Sequence, residues 1–473
     1  MVNIIVELSK YIIIICMIVY TFSCFSIFMQ EYEKDEKRIL RRQNLLMFLI
    51  HFLAYLVMYL KSGEQRFLFF YLAQVVYFVA VILLYQIIYP NVSKLIVNNM
   101  CMLICIGFIM IARLSFDSAV KQYIFAILGS AFGLIVPVLI RKLKRLSEWT
   151  YFYAGIGLVL LVLVAVFAAT SGGAKLGFEI AGFGIQPSEF VKIIFVFYVA
   201  ASLVKSTEFK NVVITTAVAA AHVLILVLST DLGAALIYFV VYLVMLYVAT
   251  RQPLYAVAGT AAGAGAAVVG YHLFSHIKTR VSAWQDPLAT YDSGGYQVAQ
   301  SLFAIGTGSW FGTGLMQGSP DLIPVASSDF IFSAISEELG VIFALCMILV
   351  CVSCYVMFLN IAMEIRNQFY KLVALGLGTC YIFQVFLTIG GAIKFIPSTG
   401  VTLPLVSYGG SSMLSSMIMF GIIQGLYILR EDEAEMRGQR KNRKERDVRN
   451  ETARTQKTKS KPRFEEVPKQ RVR

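Results

Sequence analysis

Few side chains in this chain could do acid–base or charge chemistry away from ordinary polar loops. Of 28 acidic residues, 19 precede residue 430, and ten of those, from Glu7 to Glu364, flank apolar runs in polar connectors. The other nine are Glu179, Glu189, Asp231, Asp286, Asp292, Asp321, Asp329, Glu337 and Glu338. Asp329 stands out by context, in Ser327-Ser328-Asp329-Phe330-Ile331-Phe332, where a polar stretch meets an apolar one. Two roles fit it. It could cap a helix N-terminus, or it could be a partly desolvated carboxylate whose raised pKa suits a general base.

Lys192 follows Glu189 by three residues, so a helix puts both on one face. The pair could satisfy itself, or Lys192 could meet an anionic headgroup. An ionisable residue inside a membrane span is a functional candidate by default. Asp231 follows Ser229-Thr230 and precedes Leu232-Gly233, which suits a helix cap. Lys394 closes Gly390-Gly391-Ala392-Ile393-Lys394, either as a snorkelling lysine or as an anion contact. Lys278 and Arg280 follow His276. His272 and His276 are four apart but lack an acid at matching spacing, so zinc is not expected.

Ser407-Tyr408-Gly409-Gly410-Ser411-Ser412 would let backbone approach a ligand, yet it lacks a phosphate-loop lysine. Gly306, Gly308, Gly312 and Gly314 follow no strand pattern, which rejects a dinucleotide fingerprint. The eight cysteines, Cys351-Val-Ser-Cys354 included, lie in apolar runs and read as packing residues.

The elements that must position these residues are membrane spans. Of 473 residues, 58% are apolar and only 15% charged, far from soluble usage. Thirteen runs approach the length that crosses a bilayer: 11–29, 44–60, 67–88, 95–112, 122–140, 151–169, 190–204, 211–228, 232–249, 254–272, 335–359, 370–389 and 411–429. They are too long for barrel strands. No secretory cleavage site follows the first run, which is read as a retained span.

With the N-terminus outside and the C-terminus inside, inner loops hold 15 Lys and Arg, outer loops 9, and the tail from 430 adds 16 inside. The net charge of +13 is therefore a topology and lipid-headgroup signal, and no nucleic-acid partner is expected. The outer connectors are then 170–189, 273–334 and 390–410, and the chemistry faces outward. The tail 431–473 is basic and apolar-poor, and is expected to be cytoplasmic and without regular structure.

Four segments together resemble the shape, elongation, division and sporulation (SEDS) family typified by FtsW, RodA and SpoVE. They are Gly184-Ile185-Gln186-Pro187-Ser188-Glu189-Phe190-Val191-Lys192; Tyr296-Gln297-Val298-Ala299-Gln300-Ser301-Leu302-Phe303-Ala304-Ile305-Gly306; Ser328-Asp329-Phe330-Ile331-Phe332 with Glu337-Glu338-Leu339-Gly340; and the run from Pro397 to Ser412. The resemblance implies an all-α polytopic membrane protein. A ten-span glycosyltransferase core would occupy 95–430, with a large outer loop at 273–334 and about three extra N-terminal spans in 1–94.

The implied activity is polymerisation of lipid II into peptidoglycan strands at the outer face of the bacterial cytoplasmic membrane. The implied partner is a class B penicillin-binding transpeptidase. Asp329 matches the family's essential acid and Lys192 its motif lysine. The matching segments also make Glu189, Gln186, Gln300, Glu338, Ser407 and Ser411 substrate-binding candidates, with Arg280 and Lys394 as cations. Two departures stand out. Lys175-Leu176 occupies the place of Arg-Trp, and Ile323-Pro324-Val325 that of Leu-Pro-Glu. Lys175 would keep a charge but lose the two-pronged geometry of Arg.

As a polymerase, the chain needs one carboxylate to take a proton from an acceptor sugar hydroxyl, and Asp329 is the choice. Lys192, Lys394 and Arg280, or a divalent cation, would stabilise the leaving diphosphate. Asp329 could instead hold that metal. Two rivals remain: a lipid-precursor flippase using Asp231, Lys192 and Glu338, or a non-catalytic scaffold.

Overall fold

Apolar surroundings leave backbone groups no partner but the chain itself, so each long apolar run becomes a helix. The computed structural model describes residues 2–30, 32–143, 145–168, 177–180 and 183–459. The chain divides into two compact units, Met1–Ile428 and Leu429–Arg473. Three helices come first: α1 (Val2–Ser26), α2 (Glu33–Ser62) and α3 (Arg66–Ile88). Seven follow: α4 (Lys94–Leu114), α5 (Phe116–Lys142), α6 (Thr150–Phe167), α7 (Pro187–Lys205), α8 (Phe209–Leu228), α9 (Leu232–Thr250) and α10 (Pro253–Leu273). The chain continues through short α11 (Ser275–Gln285) and α12 (Tyr296–Gly308) to α13 (Ile331–Glu364), α14 (Gln368–Ala392) and α15 (Gly410–Lys459). A two-strand hairpin, β1 (Phe178–Ile180) against β2 (Phe183–Ile185), precedes α7.

Among the described residues, thirteen helices are long and apolar enough to cross a membrane, the number read from the sequence. Local signals set their ends. Ser115 accepts from Ser118 N to cap α5, Asn367 accepts from Phe369 N and Tyr370 N to cap α14, and Pro187 and Pro253 open α7 and α10.

The connector 273–334 is more helical than its Gly, Ser and Tyr content suggested, because α11 and α12 are short helices packed in it. In the second unit the helix reaches Lys459, where the composition suggested no regular structure. Glu, Lys, Arg and Gln are good helix formers, and Glu433 pairs with Arg437 one turn on. All eight cysteines are free and buried.

α13 is two helices joined at Gly340, whose φ of 88° and ψ of 159° only glycine adopts readily. The backbone groups released there pair with the segment after α12. Thr313 N donates to Glu337 O (2.8 Å), Gly314 N to Glu338 O (2.9 Å), and Val341 N to Ser309 O (3.0 Å). A Cβ on Gly340 would lie 2.5 Å from both Gly312 N and Trp310 O. The first half of α13 is thereby held as a short, separately aimed helix directly after Asp329.

α4 is buried from Leu95 to Ala112, packed against α2, α3, α5 and α13, and α1 packs on α2 and α13. Polar contacts join these helices. Tyr20 donates to Asn99 Oδ1 (3.1 Å), Asn99 Nδ2 to Ser353 Oγ of α13 (3.2 Å), and Asn98 Nδ2 to Gln43 Oε1 (3.1 Å). Thr21 donates to Cys346 O of α13 (3.3 Å).

Gly340→Ala combines a forbidden backbone with a clash, so it should cost on the order of 3 kcal/mol or more. The expected result is loss of a monodisperse peak, or a large fall in thermal midpoint, in detergent. Gly306→Ala, where an added Cβ meets nothing within 4 Å, should leave the midpoint equal or higher.

Candidate functional site

Asp329 lies one residue before the cap of α13. Phe330 holds the cap position and caps with no side chain, so the carboxylate of Asp329 is left for other work. It faces a cavity of about 120 Å³ walled also by Thr279, Arg280, Gln297, Ser398 and Gly400. Arg280 Nη1 donates to Ser398 O (3.3 Å), and Trp284 Nε1 to Lys394 O (3.1 Å), so α11 is tied to the loop after α14. Gly400 has φ of 72°, and a Cβ there would sit 3.7 Å from Asp329 Oδ2 and 3.8 Å from Arg280 Nη2. Backbone thus runs against both charges. The turn before Asp329 is clamped as well: Ser407 Oγ donates to Ser328 O (2.5 Å) and Tyr408 N to Ser327 O (2.8 Å). Gln122 of α5 braces that clamp, donating to Ser407 O (2.9 Å) and accepting from Gly409 N (3.2 Å).

Burial pushes the Asp329 carboxyl above its ordinary value, against the Ser328 hydroxyl and the Arg280 charge, which pull it down. Burial likewise lowers Arg280, and the charges of Asp329 and Asp231 oppose that. A basic carboxylate beside a guanidinium can accept a proton while its neighbour holds a developing anion.

A second polar cluster lies across Gly400. Asp231 caps α9 through Ala234 N (3.1 Å) and accepts from Ser188 Oγ (2.9 Å) and Gln186 Nε2 (3.2 Å). Burial raises its carboxyl, and those hydrogen bonds oppose the rise. Next to it Lys192 Nζ donates to Glu189 Oε2 (2.5 Å) and Gln384 Oε1 (2.8 Å), and Ser415 Oγ donates to Glu189 Oε2 (2.9 Å). Gln384 Nε2 reaches Thr402 O (3.0 Å). Gln186, Lys192, Asp231, Tyr238, Gly400 and Thr402 line a shared polar recess.

Residues 93–431 match the model of the FtsW/RodA/SpoVE cell cycle proteins. The chain belongs to the FtsW/RodA/SpoVE family. It is 34% identical over 363 residues to the peptidoglycan glycosyltransferase RodA of Mycobacterium tuberculosis H37Rv, covering 71% of this chain and 77% of that one. It is 32% identical over 356 residues to an FtsW of Saccharophagus degradans, covering 69% and 89%. Among solved structures, a chain of a peptidoglycan synthase complex superimposes with a TM-score of 0.62 at 23% identity, over 72% of this chain and 98% of that chain. The rod shape determining protein RodA of Thermus thermophilus gives 0.51 at 22%, over 71% and 96%. These structures share the fold.

Against the family motifs, the structure gathers Asp329 and Arg280 in one cavity, and Gln186, Glu189 and Lys192 in the adjoining recess. Ser407 and Ser411 act from behind. Ser407 holds the Asp329 turn, and Ser411 Oγ accepts from Gln186 N (2.8 Å). Gln300 donates to Tyr291 OH (2.8 Å), while Gln297 of the same motif lines the Asp329 cavity. Glu338 is fully buried against Arg113 Nε (2.9 Å), away from both cavities.

Lys394 presents its carbonyl to Trp284, and its side chain lines neither cavity. Lys175 and Leu176 lie outside the described residues. His272 and His276 fall on separate helices, α10 and α11. Thr279 and Ser415 were not singled out in the sequence, and Ser188 and Ser398 stood only inside quoted segments, because hydroxyl residues are common in loops and helices alike. Gln384, a lone amide in an apolar span, carried a readable signal.

The Glu189–Lys192 pair is nearly dry, with side chains 12% and 3% exposed. Lys192→Met alone should destabilise by about 3–5 kcal/mol, because it strands a buried carboxylate. Lys192→Met with Glu189→Gln should recover most of that loss in thermal midpoint.

Proposed function

We propose that this chain is a peptidoglycan glycosyltransferase that polymerises lipid II, with Asp329 as general base. The observation that carries this is the Asp329–Arg280 cavity at the edge of an apolar bundle, in a chain whose relatives bear that enzyme's name. The acceptor sugar hydroxyl attacks the anomeric carbon of the lipid-linked donor. Asp329 takes the hydroxyl proton as the new C–O bond forms, and the bond to the diphosphate breaks on the opposite side. Arg280, within the same cavity, meets the departing negative charge. A single displacement of this kind inverts the centre and needs no second carboxylate.

Among the described residues, no group of three His, Cys, Asp or Glu side chains is arranged to hold a metal. The cavity offers a divalent ion one carboxylate beside a guanidinium, so each step is assigned to the chain's own residues.

In this reading residues 95–430 are the enzyme core and 1–94 an added three-helix segment. The Asp329 face looks outward from the bacterial cytoplasmic membrane, with the C-terminus inside, as the Lys and Arg distribution supports. A class B transpeptidase is the partner to supply in an assay, because a similar fold occurs in a peptidoglycan synthase complex.

Purified protein with its transpeptidase should make glycan strands from lipid II. Asp329→Asn at matched folding should fall at least about 100-fold, the usual worth of a positioned base. Equal product from both would remove Asp329 from the mechanism. Because the active form is the carboxylate, activity should rise with pH through a pKa above the ordinary aspartate value. Arg280→Gln removes a charge that lowers that pKa, so the acid limb should move to higher pH. Asp329→Asn should also raise the thermal midpoint at neutral pH, since it relieves a buried charge that the fold disfavours.

A further inference from the structure

Two cavities line α7 between Ile193 and Lys205, and are taken together as one cleft. Ile193, Phe197, Ala201 and Lys205 succeed one another every four residues on one face. Toward the middle of α7 the cleft is a wholly apolar cavity of about 240 Å³, walled by Leu139, Ile140, Trp149, Tyr153, Phe197 and Ile422. Beside the Leu146–Glu148 turn the mouth is a second cavity of about 350 Å³, lined by Ser147, Glu148, Thr150, Tyr151, Val204 and Lys205.

Three features of the mouth suit a phosphate. Thr150 is only 8% exposed, and its hydroxyl has no hydrogen-bond partner among the described residues. It is the first residue of α6, whose N-cap Trp149 supplies no side-chain bond, so the first-turn N–H groups of an 18-residue helix open there. Lys205 lies over the Tyr151 ring at 5.3 Å and has no acidic partner among the described residues. The one carboxylate of the mouth, Glu148, is engaged by Arg145 at 3.7 Å.

We propose that this cleft binds an anionic glycerophospholipid, with an acyl chain in the apolar cavity and the phosphate between Thr150, Lys205 and the start of α6. Charge complementarity selects the occupant: a zwitterionic headgroup would bring a second cation beside an already unpaired lysine. Lys205 lies thirteen residues along α7 from Lys192, about 20 Å at the helical rise. The lipid therefore sits in the other leaflet from the candidate functional site. The assignment holds whether or not the chain polymerises lipid II.

Trp149 reports on the cavity directly. The full-length protein is reconstituted in phosphatidylcholine vesicles carrying a minor fraction of bromine-labelled lipid, and the fluorescence lost in Trp149→Phe isolates the reporter from Trp284 and Trp310. Brominated phosphatidylglycerol should quench Trp149 at about one-fifth the mole fraction that brominated phosphatidylcholine requires, the worth of one lysine against an anionic lipid. Lys205→Gln should erase that preference, Lys205→Arg should keep it, and Thr150→Val should reduce it. Equal quenching by the two lipids, or an unchanged preference in folded Lys205→Gln, would overturn the assignment.

Discussion

An apolar bundle tolerates irregular backbone only where the chain itself satisfies each exposed N–H and C=O. That constraint governs where this protein can carry chemistry. α13 breaks at Gly340 because the segment 309–314 is there to receive the groups released. The loop between α14 and α15 stays extended because side chains reach in to hold it. Thr388 donates to Val401 O (2.9 Å), Gln384 to Thr402 O (3.0 Å), and Ser407 Oγ accepts from Leu403 N (2.9 Å). The loop after α14 borders Asp329, and neither irregular stretch would survive facing lipid.

The same loop joins the two polar clusters. Gly400 separates the Asp329 cavity from the Asp231 recess and borders both. Gly233, at the start of α9, packs against Thr399 O and Val401, where a Cβ would clash with Val401 at 2.2 Å. The start of α9 is therefore pressed on the loop that lines the Asp329 cavity. The Glu189–Lys192–Gln384 network is bonded to the same loop at Thr402.

The three N-terminal helices answer a different need. α4 carries Asn98 and Asn99 in the middle of an apolar run, and it is buried throughout. Amides at such a depth need partners, and they find them in Tyr20, Gln43 and Ser353. Small and polar residues at helix contacts are how membrane helices recognise one another, since apolar side chains gain little over lipid. These helices are thus packed into the bundle through specific bonds, with Thr21 reaching α13 as well.

Span count, helical class and the family motifs were legible in the sequence, because a bilayer imposes length and polarity on each span separately. Asp329, Lys192 and Glu189 were legible for the same reason: a charge is conspicuous where apolar residues are the rule. Contact between distant segments is not written into local pattern. The sequence offered Gln300, Glu338 and Lys394 on equal terms with Gln186 and Arg280. Only the fold turns Gln297 into the Asp329 cavity, spends Glu338 on Arg113, and leaves Lys394 outside. The break at Gly340 was equally hidden, since a glycine inside an apolar helix looks the same whether or not a loop waits beside it. What decides these matters is which carbonyl, amide or charge lies within bonding distance, and packing alone sets that distance.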